Sequence, residues 1–273
     1  MSVSLTNFRA KLNNILGDVV SGTTSANGNT EKTTLQDTEL AKYSDHFFAE
    51  HIAFLPGVPE ARAVEDSWQP EGIVQVYKPF TSQVAISTPY EFHKYHPDDK
   101  KAAINNALLS AYPYFYKRIE DVTLTGKGAA DTEYAVPAAF ADGFPDQVWL
   151  KKITGSEISF EEFFNVDFKT IAGSKKFYAN ISTDYTILLI GKTWLTSLTT
   201  EASATELTDE QAAIVCLKAA ANLWRQKTTV VDAEDSGRFD TLADQKDLEF
   251  ERLVRLRAMP EISHFSMDWS TLE

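Results

Sequence analysis

The chain contains a single cysteine, Cys216, so no disulfide can close within it. Flanked by Val215 and Leu217, its thiol reads as a small hydrophobe, and the composition suits a reducing compartment without requiring one. Long apolar runs are also lacking. Ile187 to Ile190 is typical, and Lys218 interrupts the alanine-rich stretch after residue 212, so nothing approaches the roughly 18 residues of a membrane-spanning helix. The N-terminal MSVSLTNFRAKLNNILGD has no basic stretch leading into an apolar run and does not read as a secretory signal. Basic charge is in deficit: 26 Lys and Arg stand against 39 Asp and Glu, a net charge of −13. Such a chain offers a polyphosphate no net attraction, which argues against a non-specific grip on nucleic acid and leaves DNA only in transit past it.

Catalytic signatures are missing as well. Gly191-Lys192-Thr193 matches the end of a phosphate-binding loop, but the glycine required five positions earlier is Thr186. His46 and His51 are one residue too far apart for the zinc motif that puts two histidines on one helical face. In HKYHPDD, His93, His96, Asp98 and Asp99 are possible nitrogen and oxygen ligands, yet no further ligand follows at a recognisable spacing; the plainer reading is a helix start whose acidic residues favour the dipole. Cys216 has no local sign of activation, and carboxylate pairs such as Glu161-Glu162 are ordinary on an acidic surface. Aromatic groups at Tyr112 to Tyr116 and Phe160 to Phe168 could stack on sugars or bases but more commonly fill cores and interfaces. No catalytic, metal or cofactor residue is assigned, and the chain is expected to be no enzyme.

What is present is enough apolar material for a substantial core: 43% hydrophobic and 12% aromatic residues over 273 positions fit one large or two modest domains. Leu5, Phe8, Leu12 and Ile15 recur at helical spacing behind Ser4 and before Gly17, predicting a helix over 5–16. Residues 17–34 are rich in Gly, Ser, Thr and Asn and read mostly as loop. Short apolar or alternating runs then predict a small antiparallel β module over 35–95, although Leu40, Tyr43, Phe47 and Phe54 would also share one side of a helix. Pro97, Asp98 and Asp99 open a helix carried to about residue 119, with a kink or break at Pro113. A second antiparallel region follows over 120–200.

Thr208 and Gln211 form a capping-box pair that starts a helix over 208–227. Its apolar residues run around most of the circumference, so Leu217, Ala220, Ala221 and Trp224 are expected to pack in a core or against a subunit neighbour. A charged last helix over about 238–258 stops at Pro260, and beyond it Ile262, Phe265, Met267, Trp269 and Leu272 make a tail suited to docking into a partner's groove. The expected fold class is therefore α+β, with helices at about 5–16, 97–119, 208–227 and 238–258 packed with two small antiparallel β regions. The expected organisation is an N-terminal module over 1–95 and a core over 96–273.

The order of these pieces resembles the head-to-tail adaptor, or connector, proteins of tailed bacteriophages. The stretches that carry the resemblance are HPDDKKAAINNALLSAYPYFYKRI, TEYAVPAAF with its Tyr-x-x-Pro, QVWLKKI, and YTILLIGKTWLTSLTTEASATELTDEQAAIVCLKAAANLW with the charged helix after it. DHFFAEHIAFLPG through TPYEFHK also looks like the β-rich N-terminal portion of some of these virion proteins, so the resemblance spans most of the chain. It implies a structural protein of the virion neck, assembled in the host cytoplasm as a homo-oligomeric ring, commonly of twelve copies. Such a ring sits beneath the portal protein and presents a platform to a downstream neck or tail protein, with no membrane contact and no catalytic residues to carry over. The competing readings are another neck, tail or baseplate component and, from a different class, a carbohydrate-binding module or hydrolase.

Overall fold

A computed structural model describes residues 2–129, 131–140, 143–154, 157–164, 166–228 and 233–260. From the N-terminus run β1 (Val3–Ser4), α1 (Leu5–Leu16), β2 (Val19–Thr23) and β3 (Thr34–Gln36). Next come β4 (Ile52–Leu55), β5 (Glu60–Trp68), β6 (Ile73–Val76), β7 (Pro89–His93) and α2 (Pro97–Ala111). The middle of the chain is all β: β8 (Lys117–Thr125), β9 (Glu133–Ala135), β10 (Gln147–Thr154), β11 (Glu157–Glu162), β12 (Asp167–Ile171), β13 (Ser174–Tyr178) and β14 (Tyr185–Thr193). The short β15 (Ala204–Thr205) precedes α3 (Asp209–Thr228) and α4 (Ala233–Leu256). Among the described residues no helix is long and apolar enough to cross a membrane.

Two compact units result. Among the described residues the first comprises 2–110 with 197–253, and the second 111–196 with 254–260.

In the first unit six strands pair antiparallel in the order β2-β7-β4-β5-β6-β3. The sheet curls: a bridge between Ala26 and Gln36 ties the chain after β2 to β3, the opposite edge, so few strand ends are left unpaired. Leu35, Phe48, Val64, Val74, Val76 and Phe92 fill the interior. Gly22 is required where it stands, because a Cβ there would lie 2.4 Å from the Tyr90 hydroxyl, which donates 2.6 Å to Asp37 Oδ2.

Ser4 starts α1 by accepting from the Asn7 N–H at 3.3 Å, and Gly17 ends it in the left-handed region (φ 60°). The buried face of α1 packs on α3, and Cys216 Sγ reaches the Phe8 carbonyl at 3.4 Å. Thr208 and Gln211 cap α3 reciprocally, at 2.9 and 3.3 Å. Along α3, Leu217, Ala220, Ala221 and Trp224 are all buried, and its charged residues Lys218 and Arg225 face Asp247 and Asp244 of α4.

The second unit holds a sheet ordered β11-β10-β14-β8 and another ordered β12-β13-β9, both antiparallel. Val148, Leu150, Ile187 and Leu189 alternate inward along β10 and β14 against Tyr134, Phe140 and Phe177.

These elements correct the expected fold class. The β regions are not small: the described residues form four antiparallel sheets, with 31% helix against 33% strand, so the fold is mostly β and not helix-dominated. The helix expected over 97–119 stops at Ala111, since Pro113 supplies no N–H and crowds the preceding turn, and the half-buried Lys117, Ile119 and Asp121 then alternate with exposed residues as a strand requires. Within 17–34, expected as loop, the β-branched Val19, Val20 and Thr23 form β2 against β7. A helix across Leu40–Phe54 does not form either: a short 3-10 turn, Thr38–Lys42, leads instead to β4.

Ala220 has no exposed surface, so Ala220→Glu should bury an unpaired carboxylate and lower the unfolding free energy by about 3–5 kcal/mol. Urea denaturation measures this, and an unchanged midpoint would contradict the packing of α3.

Candidate functional site

The most unusual chemistry of the first unit is a chain of buried charged groups. On α1, Arg9 and Asn13 stand four residues apart on the buried face, and Asp18 follows just past the helix end. On β7, Glu91 and His93 share a face two residues apart. Lys100, in the second turn of α2, reaches into this set with its side chain wholly buried.

All three protons of the Lys100 ammonium find acceptors: Asn13 Oδ1 at 2.6 Å, His93 Nδ1 at 2.8 Å and Asp18 Oδ1 at 3.1 Å. Because Nδ1 accepts, the other ring nitrogen carries the proton, and Nε2–H donates to Glu91 Oε2 at 2.8 Å. Glu91 lies 3.7 Å from Arg9 Nε, and Arg9 Nη1 donates to Glu201 Oε1 at 2.6 Å while its guanidinium stands 4.6 Å from the centre of the Phe54 ring. Burial holds the Lys100 ammonium below its usual pKa against the pull of Asp18. Burial likewise lowers His93, assisted by the Lys100 charge and opposed by the bond to Glu91, so the neutral ring is favoured. Glu91 is pushed up by burial, but its bond from His93 and the charges of Arg9 and Lys100 outweigh this and leave it below the usual carboxylate value.

Lys100 and His93 have no contact with solvent, so the centre of this network is a clamp between α1, α2 and β7. Glu91 and Glu201 are partly exposed, and at the Arg9–Glu201 end Glu201 and Phe54 line an open groove of about 990 Å³. Arg62, His96, Asp98 and Lys101 also line it.

The HKYHPDD residues are therefore separated. His93 belongs to the buried clamp, whereas His96 lies at the groove and accepts the Asp98 N–H on Nδ1 at 3.2 Å. His46 pairs with Asp66 at 2.5 Å, and His51 stacks on Phe47 with its pKa lowered by burial. Among the described residues no group of three His, Cys, Asp or Glu is placed to hold a metal ion. Gly191-Lys192-Thr193 is part of β14, in register with β8, and forms no phosphate loop. Burial pushes the Cys216 thiol up to about 12, which leaves it protonated and unreactive near neutral pH. Ile262, Phe265, Met267, Trp269 and Leu272 lie outside the described residues.

Sequence reasoning passed over the clamp, although a signal existed. Arg9 and Asn13 fall on the stripe of Leu5, Phe8 and Leu12, and Lys100 stands four residues before Ile104 on the buried side of α2. A polar residue inside an apolar stripe needs a buried partner.

The second unit presents a different feature. Ile153 on β10 and Ile158 on β11 are direct cross-strand neighbours, yet they are 60% and 50% exposed, and Phe164 beyond β11 is 75% exposed. Ile171 is half-exposed at the end of β12. Exposed apolar side chains thus occur on the strands and hairpins of both sheets of the second unit.

Lys100→Met should lower stability by about 3–5 kcal/mol by stranding Asp18 without its cation, and adding Asp18→Asn should recover part of that loss. A double mutant showing simple additivity in urea melts would argue against the clamp. A pH dependence follows from His93, whose folded pKa lies below the unfolded value of 6.5. The unfolded chain then takes up the proton first as pH falls, so stability is full above about 6.5 and declines below it. His51 shifts in the same direction. The drop in Tm between pH 7.5 and 5.5 should shrink in His93→Gln, and an identical drop in both proteins would remove His93 as its source.

No family model, curated protein or solved structure matches the chain.

Proposed function

We propose that this chain is a structural subunit of a tailed-phage neck: a head-to-tail connector that forms a ring beneath the portal protein, joins the capsid to a downstream neck or tail protein, and lines the DNA passage. Its role is assembly, with no catalytic step. The observation that carries the reading is the apolar surface on the hairpins of the second unit, where Ile153 and Ile158 stand side by side in solvent with Phe164 and Ile171 also exposed. A subunit whose neighbours arrive only on assembly keeps such a surface open until then. The order of the resembling stretches and the net charge of −13, which lets DNA slide without sticking, support the same reading.

The apolar residues Ile262, Phe265, Met267, Trp269 and Leu272 are assigned to docking on the portal. Full-length protein mixed with portal rings should give, by mass photometry, a discrete complex holding many copies, and deletion of 261–273 should abolish it while leaving Tm unchanged. A chain that stays monomeric with portal and in virions rules the reading out. Co-purification with tail-tube protein in place of portal would move the chain elsewhere in the tail.

A further inference from the structure

The sheet β11-β10-β14-β8 of the second unit has two edges, since among the described residues β11 pairs only with β10 and β8 only with β14. Each of its three pairings is antiparallel, so the two edge strands run in opposite directions. A copy generated by rotation about a ring axis keeps its strand directions. Set beside the first, it brings β8 of one copy against β11 of the next as an antiparallel pair, with no strand reversed. A sheet with an odd number of alternating strands would meet its copy in parallel.

The faces agree as well. Trp149 is opposite both Glu162 and Leu188, while Ile190 is opposite Glu120 and Lys192 opposite Arg118. Glu162, Phe160 and Ile158 of β11 therefore occupy the same sheet face as Arg118 and Glu120 of β8. Sliding one edge along the other with faces matched gives a register in which Arg118 stands opposite Glu162. The same register puts Glu120 opposite Phe160, ahead of the bulge at 122–123 of β8.

We infer that neighbouring copies join edge to edge, β8 of one subunit adding as a strand to β11 of the next, with Arg118 opposite Glu162 and Glu120 opposite Phe160. This inference rests on the ring reading above and supplies the contact between its subunits. Two copies of β11 make a poor pair, because Glu157, Glu161 and Glu162 would face their own kind. Two copies of β8 could pair about a two-fold axis with Arg118 opposite Glu120. That arrangement ends at a dimer and leaves Ile153 and Ile158 in water.

The test is a full-length double variant, Glu120→Cys with Phe160→Cys. Within one chain these positions lie three strands apart, roughly 14 Å at about 4.8 Å per strand, beyond disulfide reach, so any bridge formed joins two copies. Oxidised in the presence of portal, the variant should give a ladder extending well past the dimer on a non-reducing gel, and each single variant should lose every band above the dimer. Arg118→Glu should remove the ladder in the double-cysteine background, and Glu162→Arg added to it should restore it. A ladder that stops at the dimer overturns the inference in favour of β8 meeting β8. Rings seen by mass photometry without any ladder overturn the inference alone and leave the connector reading standing. The absence of any multimer with portal overturns both.

Discussion

The first unit depends on one buried cation. Lys100 is drawn to a point where α1, the turn after α1 and β7 each supply one acceptor, and its three short hydrogen bonds fix how α2 lies against the sheet. A charge in such a place is tolerated only while every proton is matched, so the positions of Asn13, Asp18 and His93 are set together. The chain continues through Glu91 and Arg9 to Glu201, which binds the segment before β15 to α1. Through α1 the same constraint extends to α3, whose buried face packs against it.

The two units treat their sheet edges differently. In the first, the bridge between Ala26 and Gln36 draws the outer strands together, and the interior is filled by the residues around Phe48 and Phe92. In the second, among the described residues, β8 and β11 remain edges, and Ile153 and Ile158 stay at least half-exposed. Open edges are hazards for a monomer, and charged side chains commonly guard them. Here Arg118 and Glu120 on β8, and Glu157, Glu161 and Glu162 on β11, provide that protection while remaining capable of opposite-charge pairing with each other. The acidic β11 edge disfavours a second copy of itself and suits a different, partly basic edge.

Local signals in the sequence determined the start and end of α1, the capping of α3 and the all-round burial of α3, because each depends on residues within a turn or two of one another. They also determined that Pro113 interrupts what precedes it and that Cys216 is inert. The balance of the fold was decided elsewhere. β2 and β8 become strands because β7 and β14 lie beside them to take their hydrogen bonds, and those partners are some seventy residues away along the chain. The same holds for the clamp. The spacing of Lys100 from Ile104 puts it on the apolar side of its helix but names no partner; it becomes a matched buried cation only when the fold brings Asp18, Asn13 and His93 around it, since those neighbours are distant in sequence.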